Sequence, residues 1–135
     1  MKALIAEDDS TTRQLLQEFL AQYGETHMAV NGKEAIEAFR FAMEEGHPYD
    51  LVCLDIMMPE MDGHAVLRAI RRLEKARGIK EPDAVKIIMT TALADRRNVM
   101  EAREERCDAY IIKPIVPKKL IGRLKSLGLL QGNAS

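Results

Sequence analysis

L-V-C-L-D-I-M-M-P-E-M-D-G, residues 51–63, is the stretch on which the fold turns. An apolar run from Leu51 carries a single carboxylate, Asp55, to its end, and Pro59 and Gly63 then break the backbone before a helix can start. Such a run, apolar at successive positions and too short for a helix, suits a strand buried on both faces. In an α/β sheet, ligands and chemistry collect at the C-terminal ends of the strands. Asp55 is therefore either a nucleophile or metal ligand delivered to that end, or an Asp that stops the strand and caps the next helix.

Residues before and after this stretch repeat its pattern. Residues 1–6 form a short apolar strand that ends in three acids, Glu7, Asp8 and Asp9. Capping types follow, and Leu15, Leu16, Phe19, Leu20 and Tyr23 then recur at helical spacing up to Gly24. Residues 26–30 predict a weak second strand, and Asn31-Gly32 turns into a helix with Ala35, Ile36, Phe39, Ala42 and Met43 on its apolar face. Residues 49–54 predict the central strand, and Asp62 or Gly63 opens a third helix carrying Val66, Leu67, Ile70 and Leu73. Residues 78–83 read as a solvated loop. A fourth strand over 85–90 delivers Thr91 to its end, and Asp95 can cap a shallowly docked fourth helix over 95–106. Residues 107–112 make a fifth strand ending in Lys113-Pro114, and Pro117 opens a fifth helix with Leu120, Ile121, Leu124 and Leu127 before Gly128. Strands alternating with helices predict an α/β fold: a parallel sheet with helices on both faces.

The 135 residues suit one domain, burying roughly two-thirds of the unfolded surface. With 21 Asp+Glu against 20 Lys+Arg there is no net field to attract nucleic acid or an anionic membrane, so neither is expected as a partner. Cys53 and Cys107 fit no metal pattern and suit free thiols in a reducing compartment, Cys53 as plain core. No apolar stretch approaches the ~18 residues of a membrane span, and no signal-peptide pattern opens the chain. A cytoplasmic protein is expected. His27, His47 and His64 have no ligand partner at helical spacing and are expected in solvent-facing or capping roles.

Four strand ends now carry polar groups: Glu7 and Asp8, Asp55, Thr91, and Lys113. Side by side they share one rim, where clustered carboxylates repel unless something positive compensates. Magnesium and the Lys113 ammonium suit that role, because magnesium takes oxygen ligands and pairs carboxylates with phosphate. Such a site suits phosphoryl transfer, with a carboxylate as nucleophile and the cations offsetting charge on the phosphoryl oxygens.

The blocks E-D-D-S-T-T-R (7–13), D-I-M-M-P-E-M-D-G (55–63), T-T-A (90–92) and Y-I-I-K-P (110–114), in that order and on those elements, resemble the response-regulator receiver domains of two-component signalling. The resemblance extends over residues 1–127, points to the stand-alone, chemotaxis-regulator-like members, and leaves 128–135 as a short C-terminal tail. It implies a doubly wound, flavodoxin-like, five-stranded parallel sheet in the order 2-1-3-4-5 with five helices. It also implies Asp55 as phosphoacceptor and metal ligand, Asp8 as a direct magnesium ligand, Glu7 acting through a metal-bound water, and the Met57 main-chain carbonyl as a further ligand. Thr91 would bind the phosphoryl group and reorient, Lys113 would pair with its oxygens, and Tyr110 would turn inward as the aromatic switch. The Lys113-Pro114 bond would be cis, and Gly63 would admit a close backbone approach. Asp9 is expected to cap a helix or face solvent instead of binding metal.

The function so implied is a single-domain response regulator. It accepts a phosphoryl group from a histidine kinase or phosphotransfer protein onto Asp55 and switches a surface for a downstream protein, without being a turnover enzyme. The expected docking face is the fourth helix, fifth strand and fifth helix, on a monomer or a phosphorylation-dependent dimer. Met57 and Leu93 are apolar where many relatives place polar groups that help water attack, so self-dephosphorylation is expected to be slow. The alternative is an aspartyl-nucleophile phosphatase, which would be expected to carry a second Asp where Met57 stands. A nucleotide or flavin module is disfavoured, since no glycine-rich phosphate loop is present.

Overall fold

The computed structural model describes residues 1–92, 100 and 106–130. Five strands, β1 (Lys2–Ala6), β2 (Glu25–Ala29), β3 (Leu51–Asp55), β4 (Lys86–Thr91) and β5 (Ala109–Ile112), form one parallel sheet in the order β2-β1-β3-β4-β5. Four helices are present among the described residues: α1 (Ser10–Leu20), α2 (Gly32–Glu44), α3 (Gly63–Ala76) and α4 (Pro117–Ser126). The last of these is the fifth helix of the sequence reading. The expected fourth helix falls on 95–106, outside the described residues apart from Met100 and Arg106, so the count here is four instead of five.

Strand alternation divides the core in two. Leu4, Ala6, Ala29, Val52, Leu54, Ile87 and Met89 pack on one face with Ala35 and Phe39 of α2 and Val66, Leu67 and Ile70 of α3. Ala3, Ile5, Leu51, Cys53, Ile88 and Ile111 pack on the other with Leu16 and Leu20 of α1 and Leu120 and Leu124 of α4. The central strand β3 is buried at every position, which is why residues 51–55 read as an unbroken apolar run instead of an alternating one. Cys53 sits inside this core, where burial pushes its thiol up to about 12.

Local signals fix the helix ends. Asp9, Asn31 and Asp62 cap α1, α2 and α3, their side chains accepting from the backbone N–H of Thr12, Glu34 and Ala65 at 3.0, 2.8 and 3.0 Å. Pro117 opens α4 in the first turn. At the far end of α4, Gly128 adopts φ 78° while its N–H and that of Leu129 return to Lys125 and Leu124 carbonyls at 3.0 and 2.9 Å, a Schellman stop that needs a residue tolerant of left-handed backbone. Helices α2 and α3 end the same way at Gly46 and Gly78.

Two features depart from the sequence reading. His64 is buried, not solvent-facing, because the second position of α3 turns into the core. The charges in the last turns of α3, to which the sequence reading gave no role, are not all solvated. Glu74 is 3% exposed and accepts the Val85 N–H at 2.6 Å, and Arg71 donates to Glu74 (2.8 Å), the Val85 carbonyl (2.9 Å), the Arg106 carbonyl (2.9 Å) and Asp108 (3.0 Å). Asp108 in turn accepts the Ile87 N–H at 2.8 Å. Together these bonds fasten the C-terminal end of α3 to the beginnings of β4 and β5. Among the described residues no helix is long and apolar enough to cross a membrane.

Candidate functional site

The sheet register brings the polar strand ends to one rim. Ala6 pairs with Leu54, Asp55 with Thr90, and Thr91 with Ile112, so Glu7, Asp55, Thr91 and Lys113 lie at neighbouring levels on four adjacent strands. The rung beyond β5 is continued by the Lys113 N–H, which donates to the Thr91 carbonyl at 2.7 Å. The Glu7 N–H likewise extends β1 by donating to the Ala29 carbonyl at 3.1 Å. Strand pleating sorts the side chains at this rim. Asp55 follows Cys53 onto the α1/α4 face, whereas Thr91 follows Met89 onto the other face, shared with Tyr110. Tyr110 is half-buried against that core, a diagonal neighbour of Thr91 across the β4–β5 ladder.

Asp55 and Glu7 are 3% and 1% exposed, and Asp8 stands in solvent. One carboxylate oxygen from each of the three lies within 4.8 Å of the others. The Lys113 ammonium reaches between the buried pair, 2.8 Å from Glu7 Oε1 and 3.5 Å from Asp55 Oδ1. Asp55 Oδ1 also accepts the Met57 N–H at 3.3 Å. Burial first, and then the adjoining Glu7 carboxylate, push the Asp55 carboxyl up to about 7; Lys113 and the Met57 N–H offset only part of this. Burial acts to lower the Lys113 pKa, but hydrogen bonding to Glu7 and the fields of Asp55 and Glu7 outweigh it, so the ammonium is held more firmly than usual.

The loop after Asp55 is bound tightly to the start of α3. The Ile56 N–H continues the sheet to the Thr90 carbonyl at 2.9 Å, and the Gly63 N–H returns to the Ile56 carbonyl at 2.9 Å. A Cβ on Gly63 would stand 2.5 Å from the Asp55 carbonyl oxygen and 2.8 Å from Ile56 Cα, so only glycine allows this approach. Between them Glu60 takes φ 69°, and the Met61 N–H closes a tight turn on the Pro59 carbonyl at 2.7 Å. The Lys113-Pro114 bond is cis, as is Glu81-Pro82.

The residues present fit a divalent cation. Among the described residues three carboxylates face the one Lys113 ammonium, which lies against Glu7 Oε1 and Asp55 Oδ1, and every side-chain donor is a hard oxygen, the set a divalent cation takes. Glu7, Asp8 and Asp55 are the side chains that would hold such an ion. Met57 contributes its N–H to Asp55, and its side chain is 57% exposed at the rim. Asp9 is drawn away from the site into the α1 cap, where the Thr12 hydroxyl and N–H lower its pKa. Leu93 lies outside the described residues. A residue to which the sequence reading gave no role, Arg13, donates from Nη1 to the Glu7 carbonyl at 2.8 Å and the Asp8 carbonyl at 3.3 Å.

Comparison with known proteins shows which family the chain belongs to. The chain is 38% identical over 125 residues to a probable transcriptional regulator, ycf27, of Cyanidium caldarium, covering 92% of this chain and 45% of that protein. It is 37% identical over 125 residues to the transcriptional regulatory protein SrrA of Staphylococcus aureus, covering 92% and 46%. The chain thus spans about half the length of the curated relatives it matches. Its fold is similar to that of a chain in the CheX–CheY–BeF3–magnesium complex from Borrelia burgdorferi, with a TM-score of 0.81 at 26% identity over 96% of this chain and 90% of that one. The receiver domain of the Francisella response regulator 1452 is similar at 29% identity and a TM-score of 0.71, over 93% and 94%. Residues 3–125 match the family model described as the response regulator receiver domain, and the chain belongs to that family.

Proposed function

We propose that this receiver domain is a phosphoacceptor switch: Asp55 takes a phosphoryl group from the phosphohistidine of a histidine kinase or phosphotransfer protein, and the new charge alters a surface read by a downstream protein. A carboxylate oxygen of Asp55 attacks phosphorus, the P–N bond of the donor breaks, and its imidazole leaves with the electron pair and takes up a proton. Lys113, already within reach of Asp55 and held as an ammonium, stays beside the acyl phosphate and offsets the charge on its oxygens. Asp8, Asp55 and the Met57 carbonyl would hold a magnesium ion directly and Glu7 through a water, and the bound ion would supply charge neutralisation at the phosphoryl oxygens. Thr91 hydrogen bonds the phosphoryl group by turning its hydroxyl toward it, and Tyr110, on the same sheet face, moves into the space so left. The altered surface comprises β5, α4 and the 95–106 segment, acting in the cytoplasm on a protein partner and not on nucleic acid or a membrane. Stoichiometric capture of one phosphoryl group, instead of multiple turnover, sets this reading apart from a phosphatase.

The observation that carries the proposal is the buried Asp55 carboxylate flanked by Lys113 on one side and by Glu7 and Asp8 on the other. Incubation with magnesium and acetyl phosphate tests it, wild type beside Asp55→Asn. Wild type is expected to gain one acid-stable, hydroxylamine-labile phosphoryl group and the variant none. Equal labelling of the two proteins, or labelling of neither, removes the assignment.

A further inference from the structure

We propose that Arg13 is the positioning residue of the cation site, clamping the Glu7–Asp8 turn in the shape that lets Glu7, Asp8 and Asp55 share one magnesium ion. The inference rests on the reading of this rim as a magnesium-dependent phosphoacceptor site.

The three carboxylates are not fixed equally. Asp55 is held by its strand, by burial and by the Met57 N–H, and Glu7 by burial, by Lys113 and by the Asp9 N–H, which donates to Glu7 Oε2 at 3.2 Å. Asp8 has none of these supports. Its side chain is in solvent, and among the described residues the single hydrogen bond that engages Asp8 is the one its carbonyl accepts from Arg13. The same Nη1 reaches the Glu7 carbonyl, so one guanidinium spans both peptide units that aim the two acids. Arg13 can do this because it lies in the second turn of α1, half-buried, and folds back over the helix start toward the turn that Asp9 caps. The two N–H groups of Nη1 are held in the plane of the guanidinium, a fixed direction that an ammonium turning on a flexible stem lacks. The cation-binding geometry is therefore set one step behind the carboxylates, as in metal sites where partners of the ligands control affinity by about ten- to a hundredfold.

A competing effect has the opposite sign. Arg13 brings a positive charge to a site for a positive ion, so its removal relieves repulsion while releasing the turn. Screening weakens the repulsion at this half-exposed position, whereas losing the clamp frees the only acid that nothing else aims. Positioning is therefore expected to win, and Arg13→Ala to weaken magnesium binding despite lowering the positive charge.

The test is isothermal titration of magnesium into the full chain: wild type, Arg13→Ala, Arg13→Lys and Arg13→Gln, each first shown to be folded by circular dichroism, with the metal-free melting temperature recorded alongside. Expected are a loss of about tenfold or more in magnesium affinity for Arg13→Ala, equivalent to about 1.4 kcal/mol, a smaller loss for Arg13→Gln, which keeps an NH2 donor without the charge, and a loss for Arg13→Lys despite its unchanged charge. A purely structural role would lower the metal-free melting temperature and leave magnesium affinity where it was. Wild type that binds magnesium while Arg13→Ala binds as tightly or more tightly overturns the positioning role and leaves the Asp55 reading standing. Wild type that binds no magnesium overturns both. If Arg13→Ala does not fold, Arg13→Lys decides by the same criterion, with affinity equal to wild type counting against the proposal.

Discussion

Asp55→Asn is expected to make the metal-free protein more stable, and to do so only at neutral and alkaline pH. The Asp55 carboxyl stands at about 7 against an ordinary 3.8, raised by burial and by Glu7. The folded state therefore holds this proton more tightly than the unfolded chain. Its contribution to stability is complete below about pH 4 and is lost as the pH climbs through about 7. Taken at face value, that displacement penalises the ionised form by about 4 kcal/mol. Solvent screening at the rim reduces this, and roughly 1–3 kcal/mol is expected for the single substitution. Asparagine keeps the shape of the side chain, carries no charge, and offers an NH2 to the Glu7 carboxylate. In thermal melts with a chelator the two proteins are expected to coincide near pH 4 and to separate progressively up to pH 8. For a chain of this length about 1–3 kcal/mol corresponds to ~4–12 °C in melting temperature. Saturating magnesium is expected to narrow or reverse the gap at pH 8, since an ion bound at a hundred times its dissociation constant stabilises the folded wild type by about 2.7 kcal/mol. A variant that is less stable than wild type at pH 8, or a difference that does not change with pH, would refute the account of Asp55 as a buried, electrostatically frustrated carboxylate.

Gly63→Ala is expected to cost about 1–3 kcal/mol, because its methyl group would collide with the Asp55 carbonyl and Ile56 Cα rather than with any side chain that could move; urea midpoints measure the loss, and an unchanged midpoint would show that the loop is not held against α3 as described. Arg71→Ala is expected to destabilise by about 3 kcal/mol or more, since it leaves Glu74 a buried carboxylate without its partner. Acetyl phosphate labelling of Arg71→Ala at a temperature where it is folded should stay near wild type, because the staple is at the opposite end of the strands from Asp55; abolished labelling would mean the two ends are not independent. Met57→Asn combined with Leu93→Glu is expected to shorten the lifetime of the labelled protein several-fold, because the family resemblance implies that polar groups at these two sequence positions help water attack. Timing label loss after donor removal checks this, and an equal or longer lifetime sinks it.

Much of the architecture was legible because its signals are local and redundant. Strand ends from the sequence agree with the structure to within a residue or two. The helix starts at Asn31-Gly32, Asp62-Gly63 and Pro117 are short-range chemistry that tertiary contacts had no reason to override, whereas Ser10 and Thr11, read as capping types, lie inside α1 and Asp9 is the cap. The rim residues were legible only jointly: one polar group at the end of an apolar strand has ordinary capping and turn uses, but such groups on four strand ends of one sheet do not. The Arg71–Glu74–Asp108 network was not read, since each letter alone matches a solvated charge. A signal did exist in the helix spacing. Glu74 continues the stripe of Gly63, Val66, Leu67 and Ile70, so a buried acid was written into the apolar face, while Leu73, assigned to that face, is only half-buried. Arg13 was hidden differently. Its bonds go to main-chain carbonyls, which have no letter in a sequence.

The fastening of α3 to the beginnings of β4 and β5 has a mechanical meaning for the other end of those strands. Thr91 and Lys113 stand at the free tips of two short levers, six and four residues long, whose roots are pinned by Arg71, Glu74 and Asp108. A displacement imposed at the tips cannot slide the strands along the sheet, because sliding would tear those buried bonds. Under the proposed switch, a displacement beside Asp55 would therefore pass outward to β5 as a tilt about its anchored beginning. Arg71 also grips the Arg106 carbonyl, where the chain enters β5, so the fulcrum includes the point at which the segment from 93 to 105 rejoins the sheet. The acid-and-guanidinium cluster at the far end of the strands from Asp55 is thus the anchor against which the proposed charge change would act.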